Sequence, residues 1–300
     1  MRSAKFDALL SRYYTIIIFL IPALTIFTLF VVLPIGEAAY YSFFRWNGYG
    51  APEKFVGLKN YEFLFKNRVF IMSLKNNFYI IAISLFVQLP FALLIALMIS
   101  DKLRGAAFFR TVFFLPFILA EIVTALIWAY IYDGNYGLVA AVWGFFGLDA
   151  PFIIADKDWA LMAVLIVIFW KFFGIHMMIY IAGLQAISKE VLEAAKVDGA
   201  SHYDIFLRII IPLSIPAFAS IFILQFLWCW NDLLVGLVFL DQVPSEIILT
   251  AKLKELLGSR GENWEILTTG AFVSMTVPLF IFFALQRYFI RGLVAGSVKG

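Results

Sequence analysis

The sequence predicts an all-α integral membrane protein with six spans and both termini cytoplasmic, and three observations carry that prediction. Hydrophobic residues make up 63% of the 300-residue chain and charged residues only 14%, against about 45–50% and about 25% in soluble domains. The apolar residues gather in runs of about 20 residues or more, the length a membrane helix needs, rather than in the alternating pattern of a β-barrel. Lysine and arginine crowd into the shorter of the loops those runs define, which places these loops and both termini on the cytoplasmic side. A soluble globular chain and a disordered one are both excluded by the same figures, since disorder needs low hydrophobicity and high charge.

The first span is residues 13–40. It follows Arg2, Lys5 and Arg12, and its uncharged stretch, 13–36, is longer than the roughly 7–15 apolar residues of a cleaved signal peptide, so it is read as an uncleaved span. The second span, 77–100, is uncharged. The third, 111–132, contains one acid, Glu121, and the fourth, 159–186, contains Lys171 and His176. The fifth, 209–240, ends around Asn231 and Asp232, and the sixth is 266–289. Pro22, Pro34, Pro90, Pro116, Pro216 and Pro278 fall within the spans and predict kinks that neighbouring helices can support. The net charge of +3 points to no nucleic-acid partner, and the lone cysteine, Cys229, allows no disulfide within the chain. The whole of 1–300 reads as a single membrane domain.

The loop between spans four and five is the informative segment. Residues 188–212 read SKEVLEAAKVDGASHYDIFLRIIIP. Ser188 is a helix N-cap with Glu190 in the first turn, Gly199 supplies a turn at a helix end, and Ser201 with Asp204 matches a capping box for a second helix. The small residues Ala194, Ala195, Gly199 and Ala200 leave a low surface suited to seating against another protein. An amphipathic connector with no partner is the plainer reading of the same pattern.

Glu193-Ala194-Ala195, then Gly199, Ile209 and Ile211-Pro212, resembles the EAA loop of the membrane subunits of binding-protein-dependent ABC importers; the family has Leu where this chain has Ile211. FVGLKNY at 55–61, FFRTVFFLP at 108–116 and AGLQAI at 182–187 resemble the carbohydrate-uptake branch, the maltose- and glycerol-phosphate-type permeases. The first two-thirds of the chain is similar to one of the two permease types that such systems pair. WNDLL at 230–234 and the ending at 286–300 are similar to the other type.

The resemblance implies the six-helix importer permease fold, with 188–212 as a cytoplasmic coupling loop that docks into a cleft on an ATPase. Glu193, Ala194, Ala195, Asp198, Gly199 and Pro212 are then the coupling residues, with Gly199 shaping the turn and Pro212 marking re-entry into the membrane. The implied partners are a dimer of ATP-binding subunits carrying ATP and magnesium, a second homologous permease chain or a second copy of this one, and an extracytoplasmic sugar-binding protein that meets loops 41–76, 133–158 and 241–265. The implied site is the inner membrane of a prokaryote, with a sugar as cargo and no cofactor on this chain.

Polar groups inside a bilayer cost at least about 2.5–3.5 kcal/mol each when charged, so they default to functional candidates. Asn231, Asp232, Gln225, Glu121 and Lys171 are candidates for the substrate path. Trp228, Trp230 and Trp170 are candidates to stack on pyranose faces. A neutral sugar needs no full charge, so the structural reading of Glu121 and Lys171 is an ion pair that locks the bundle. The chain has no Gly-x-x-x-x-Gly-Lys-[Ser/Thr] phosphate loop, so ATP must be hydrolysed elsewhere, and it is read as a transport subunit and not an enzyme. A proton-coupled carrier using Glu121, Asp232 and His176 is the competing reading; it leaves 188–212 unexplained.

Overall fold

The computed structural model describes residues 2–52, 54–99, 103–156, 159–185, 187–231, 248–256 and 263–297. Its compact units are residues 1–66 with 253–276, and residues 67–252 with 277–300. Asp232 lies outside the described residues.

In the first unit, α1 (Arg2–Phe27), a π-helical turn (Thr28–Val32) and α2 (Leu33–Tyr41) run as one helix. Its apolar part, Tyr13–Tyr41, is 29 residues long with a mean hydropathy of 3.0 in its most apolar stretch, none of which is buried within the chain. A helix that is apolar all round and unburied by its own chain is one that lipid or a partner must cover. A short antiparallel hairpin follows, β1 (Phe44–Arg45) on β2 (Lys54–Phe55), with Phe44 opposite Phe55. It is an addition to the helical fold expected. The helix α3 (Lys59–Lys66) is tied to it by Asn60, whose buried amide donates to the carbonyls of Ser42 at 2.9 Å and Phe44 at 2.8 Å. The FVGLKNY segment therefore contains a structural staple: a buried amide whose donors are met by backbone acceptors.

In the second unit, α4 (Arg68–Ile83) begins at Asn67, whose side chain accepts from the Phe70 amide. It continues through a π-helical turn (Ser84–Gln88) into α5 (Leu89–Met98). The sequence expects this span to start at residue 77. The helix starts nine residues earlier because a capped backbone carries straight through Lys75, which stays exposed, and through Asn76 and Asn77, whose side chains are buried; Asn77 is 1% exposed.

The third span differs from expectation. It breaks into α6 (Ala106–Ile118) and α7 (Glu121–Ile131), bent by 98°. Leu119 and Ala120 are extended, with ψ of 135° and 144°, so Glu121 opens a new helix rather than sitting in mid-span. Pro116 in the last turn of α6 is the sequence mark of this break. The helix α8 (Leu138–Phe145) follows, then α9 (Ala160–Gln185), the spanning helix most buried within the chain. It packs against α5 and α6. Gly174 permits the α6 contact, because a Cβ there would run into the Phe113 carbonyl.

After α9 come α10 (Lys189–Val197), α11 (His202–Ile205), a third π-helical turn (Phe206–Ile210) and α12 (Ile211–Asn231). The helices α13 (Leu249–Leu256) and α14 (Trp264–Ser297) complete the described chain. Among the described residues four helices are long and apolar enough to cross a membrane, or up to six, the number the sequence expects, if each of two bent pairs is one span. All three π-helical turns end two residues before a proline: Pro34, Pro90 and Pro212. In each, the residue before proline closes its hydrogen bond five residues back, as Leu89 does to Ser84. One extra residue in the turn makes room for a ring that would otherwise strike the carbonyl four residues behind it.

Candidate functional site

The coupling segment is built by local rules. The Ser188 hydroxyl accepts from the Glu190 amide at 3.2 Å and starts α10. At its end, the Ala200 amide donates to the Ala195 carbonyl at 3.0 Å and the Gly199 amide to Lys196 at 3.1 Å. These two bonds form a Schellman motif, which needs a left-handed residue at the position Gly199 occupies with φ of 82°. Nothing lies within 4 Å of where a Gly199 Cβ would stand, so backbone conformation, not space, selects glycine there. Ser201 then caps α11. Its Oγ accepts from the Asp204 amide at 3.1 Å and donates to the Asp204 carboxylate at 2.6 Å.

Arg208 reaches Asp204 at 3.4 Å. The Ser201 hydroxyl first, and Arg208 after it, hold the Asp204 carboxyl below the usual carboxylate range against the opposing effect of desolvation. A lowered folded-state pKa means that this contribution is present above the ordinary carboxylate pKa and is lost as pH falls through the lowered one. Glu193, Ala194, Asp198 and Gly199 are exposed and Ala195 half-buried, while Val197 is 87% and Tyr203 71% exposed. The loop thus presents a double turn that leaves the apolar side chains of Val197 and Tyr203 uncovered by its own chain, while Ile205 is buried.

The intramembrane candidates separate into buried and accessible groups. Lys171 is 3% exposed, and its ammonium donates to the Leu119 carbonyl at 2.7 Å and to Thr124 Oγ1 at 3.4 Å. Leu119 ends α6, where no further turn exists to use its carbonyl. Lys171 therefore caps the break in span three, in place of the expected pair with Glu121, whose carboxylate is exposed in the first turn of α7. Gln225 is fully buried; it donates to Gln88 Oε1 at 3.3 Å and to Cys229 Sγ at 3.2 Å. Gln88 in turn donates to the carbonyls of Ile168 and Phe169. The Gln225 side chain neighbours the buried His176 ring, where neither imidazole nitrogen completes a hydrogen bond of good geometry.

Trp230 is 2% exposed, stacked on Phe226 with centroids 5.6 Å apart. Trp170 is half-buried, edge-on to Trp128. Trp228 is 36% exposed and lies nearly parallel to Phe172 at 5.9 Å. Asn231 is exposed at the end of α12. Of the aromatic candidates Trp228 is the most exposed, and Phe117 and His176 also lie beside its ring. Among the described residues no group of three or more His, Cys, Asp or Glu could hold a metal ion.

Residues 88–294 match the family described as binding-protein-dependent transport system inner membrane component. The chain belongs to that family. It is 57% identical over 43% of its length to the alpha-glucoside transport system permease protein AglG of Rhizobium meliloti (strain 1021), and the match spans only 34% of AglG. It is 38% identical to the probable ABC transporter permease protein YurN of Bacillus subtilis (strain 168), over 65% of this chain and 68% of YurN. Its fold is that of a chain in the crystal structure of a bacterial alginate ABC transporter in complex with an alginate pentasaccharide-bound periplasmic protein, with a TM-score of 0.75, 20% identity and 95% of each chain covered.

Within this importer family the matched region contains all of α5 to α12, and with them the 188–212 loop and the buried polar cluster. Pro212, the last of the loop residues singled out from the sequence, stands two residues past the end of the third π-helical turn, in the first turn of α12. Sequence reasoning did not find the roles of Leu119, Thr124 and Gln88. Leu119 offers a carbonyl, which no side-chain pattern reveals. Gln88 is a polar residue in an apolar run just before Pro90, and that pairing was the available signal.

Proposed function

We propose that this chain is the membrane-spanning permease subunit of an ATP-driven sugar importer, coupled through residues 188–212 to a separate ATPase. The observation that carries the reading is the exposed α10 turn, closed by Gly199 and capped again at Ser201, in a chain of this family. Such a turn transmits force because its geometry is set by backbone bonds at both ends and its apolar side chains, Val197 and Tyr203, remain available to a partner. A dimer of ATP-binding subunits, which carries ATP and magnesium, moves this segment between two positions. The bundle then alternates between outward-open and inward-open states, and this chain itself catalyses no reaction.

The remaining partners are a second permease, homologous or identical, and an extracytoplasmic sugar-binding protein that delivers cargo. The chain sits in the cytoplasmic membrane of a prokaryote with both termini inside. Along the path, the accessible face of Trp228 stacks on a pyranose ring and Asn231 bonds to hydroxyls, contacts that suit a neutral sugar. Lys171, Gln225 and Trp230 hold the walls.

The test is purification of the tagged chain from its native membrane in mild detergent, with mass spectrometry of whatever accompanies it. An ATPase with a phosphate-binding loop is expected, together with either a second six-span chain or none, which distinguishes the paired from the self-paired permease. A folded chain that brings no ATPase overturns the reading.

A further inference from the structure

Span one runs into a hairpin that stays at the level of its end. The uncharged run 13–36 is about 36 Å long as a helix, enough to fill a hydrocarbon core of about 30 Å. Tyr41, which ends α2 little more than a turn later, therefore stands among the headgroups. Two contacts hold the following loop there. The Trp46 ring stacks on Tyr41 with centroids 3.9 Å apart, and Gly48 lies so close to Trp264 that a Cβ would run into its ring. Trp264 opens α14, and the apolar stretch of that helix begins with it, so the ends of two apolar helices mark one boundary. Tyr49, next to Gly48, is 80% exposed. The hairpin itself has two unlike faces, because side chains alternate along a strand. Phe44 and Phe55 share one face, with ring centroids 5.4 Å apart, while Arg45 and Lys54 stand directly opposite each other on the second. Phe44 also lies against Tyr40 at 4.7 Å, which turns the aromatic face toward span one. Phe55 is 66% exposed, and Leu58 is exposed as well.

We propose that this hairpin is an interfacial anchor lying among phospholipid headgroups, with Tyr49, Phe55 and Leu58 meeting lipid and Arg45 with Lys54 taking a lipid phosphate. Three features select that partner. Aromatic side chains at the end of a span are most at home at headgroup level, and the two helix ends fix the hairpin there. Two cations directly opposite each other repel, and among the described residues neither pairs with a carboxylate; a phosphate between them meets both, and bonds of this charged kind are the strong ones. An acidic protein surface would meet the cations too, but not an aromatic face turned back toward a membrane helix. The inference rests on residues 13–41 crossing a membrane, and not on the cargo or the ATPase.

The test places the photoreactive residue benzoylphenylalanine at position 49 of the full chain with its accompanying subunits. It is irradiated in native membranes and in vesicles of equal parts phosphatidylglycerol and phosphatidylcholine, and the adducts are identified by mass spectrometry. Phospholipid adducts are expected in both, with phosphatidylglycerol favoured about fivefold in the vesicles, as a basic residue near an anionic surface allows. Arg45→Gln combined with Lys54→Gln, both at exposed positions, brings the two lipids to equal yield while lipid adducts persist. The same probe at Tyr136, equally exposed in the loop after α7, is expected to give several-fold less lipid adduct. Absence of lipid adducts at position 49 overturns the proposal and leaves the hairpin in water. Adducts in native membranes chiefly with another polypeptide overturn it in favour of a protein partner. Equal yields of the two lipids without the glutamine substitutions, or an undiminished preference with them, overturn the assignment of Arg45 and Lys54 to phosphate. Because the accompanying subunits are scored in the same samples, a failure here stays separate from a failure of the importer reading.

Discussion

Gly199 is held by conformation alone. Its φ of 82° is open to glycine, tolerable for asparagine and costly for alanine, while the space around its absent Cβ is empty. Gly199→Ala is therefore expected to weaken the Schellman bonds by about 1 kcal/mol, read as roughly fivefold faster hydrogen exchange at the Ala200 amide. Gly199→Asn should cost less. If the segment couples to an ATPase, stimulated ATP hydrolysis should follow the same order: wild type, Asn, Ala. A Gly199→Ala variant with unchanged exchange would show that the turn is held by something other than its backbone. A loss equal for Asn and Ala would point to a contact with the partner that any side chain obstructs.

At the scale of elements, the break between α6 and α7 is stabilised from α9. Lys171 reaches across 52 residues of sequence to the Leu119 carbonyl, so removing its ammonium strands a carbonyl in the membrane. Lys171→Met should lower stability by about 1–3 kcal/mol, seen as a reduced apparent melting temperature of the purified protein, while Glu121→Gln should leave it unchanged. Equal losses from the two substitutions would restore the ion pair that the sequence suggests. That contrast also marks what was legible. Spans one and four are plain in the sequence because hydropathy alone defines them. The caps at Ser188 and Ser201 and the turn at Gly199 are plain because each partner lies within a few residues. Lys171 and Glu121 stand out as charges in apolar runs, but the partner of Lys171 is a backbone oxygen exposed only once α6 ends. The same holds for Asn77, whose side chain accepts from the Leu249 amide 172 positions away. Pairings at that distance follow from how the helices pack, which no local pattern records.

At the scale of the whole molecule, the orientation in the membrane can be read across a single helix. Among the described residues between Tyr136, which is 80% exposed, and the exposed Ser188, the one long apolar helix is α9. Its 26 residues extend about 39 Å, enough to cross a hydrocarbon core of about 30 Å. The two positions must then lie on opposite sides, however the bent pairs are counted. Cys229 is buried and its sulfur contacts Gln225 and Ser84, so Cys229→Ser preserves polar contacts there and provides a background without cysteine. In that background, Tyr136→Cys is expected to react with a membrane-impermeant maleimide applied to spheroplasts, and Ser188→Cys only in inverted vesicles. Both reacting from the same side would remove α9 as a span. The opposite assignment would invert the topology, and a coupling segment outside the cell would have no access to ATP, so the importer reading stands or falls with which face Ser188 occupies.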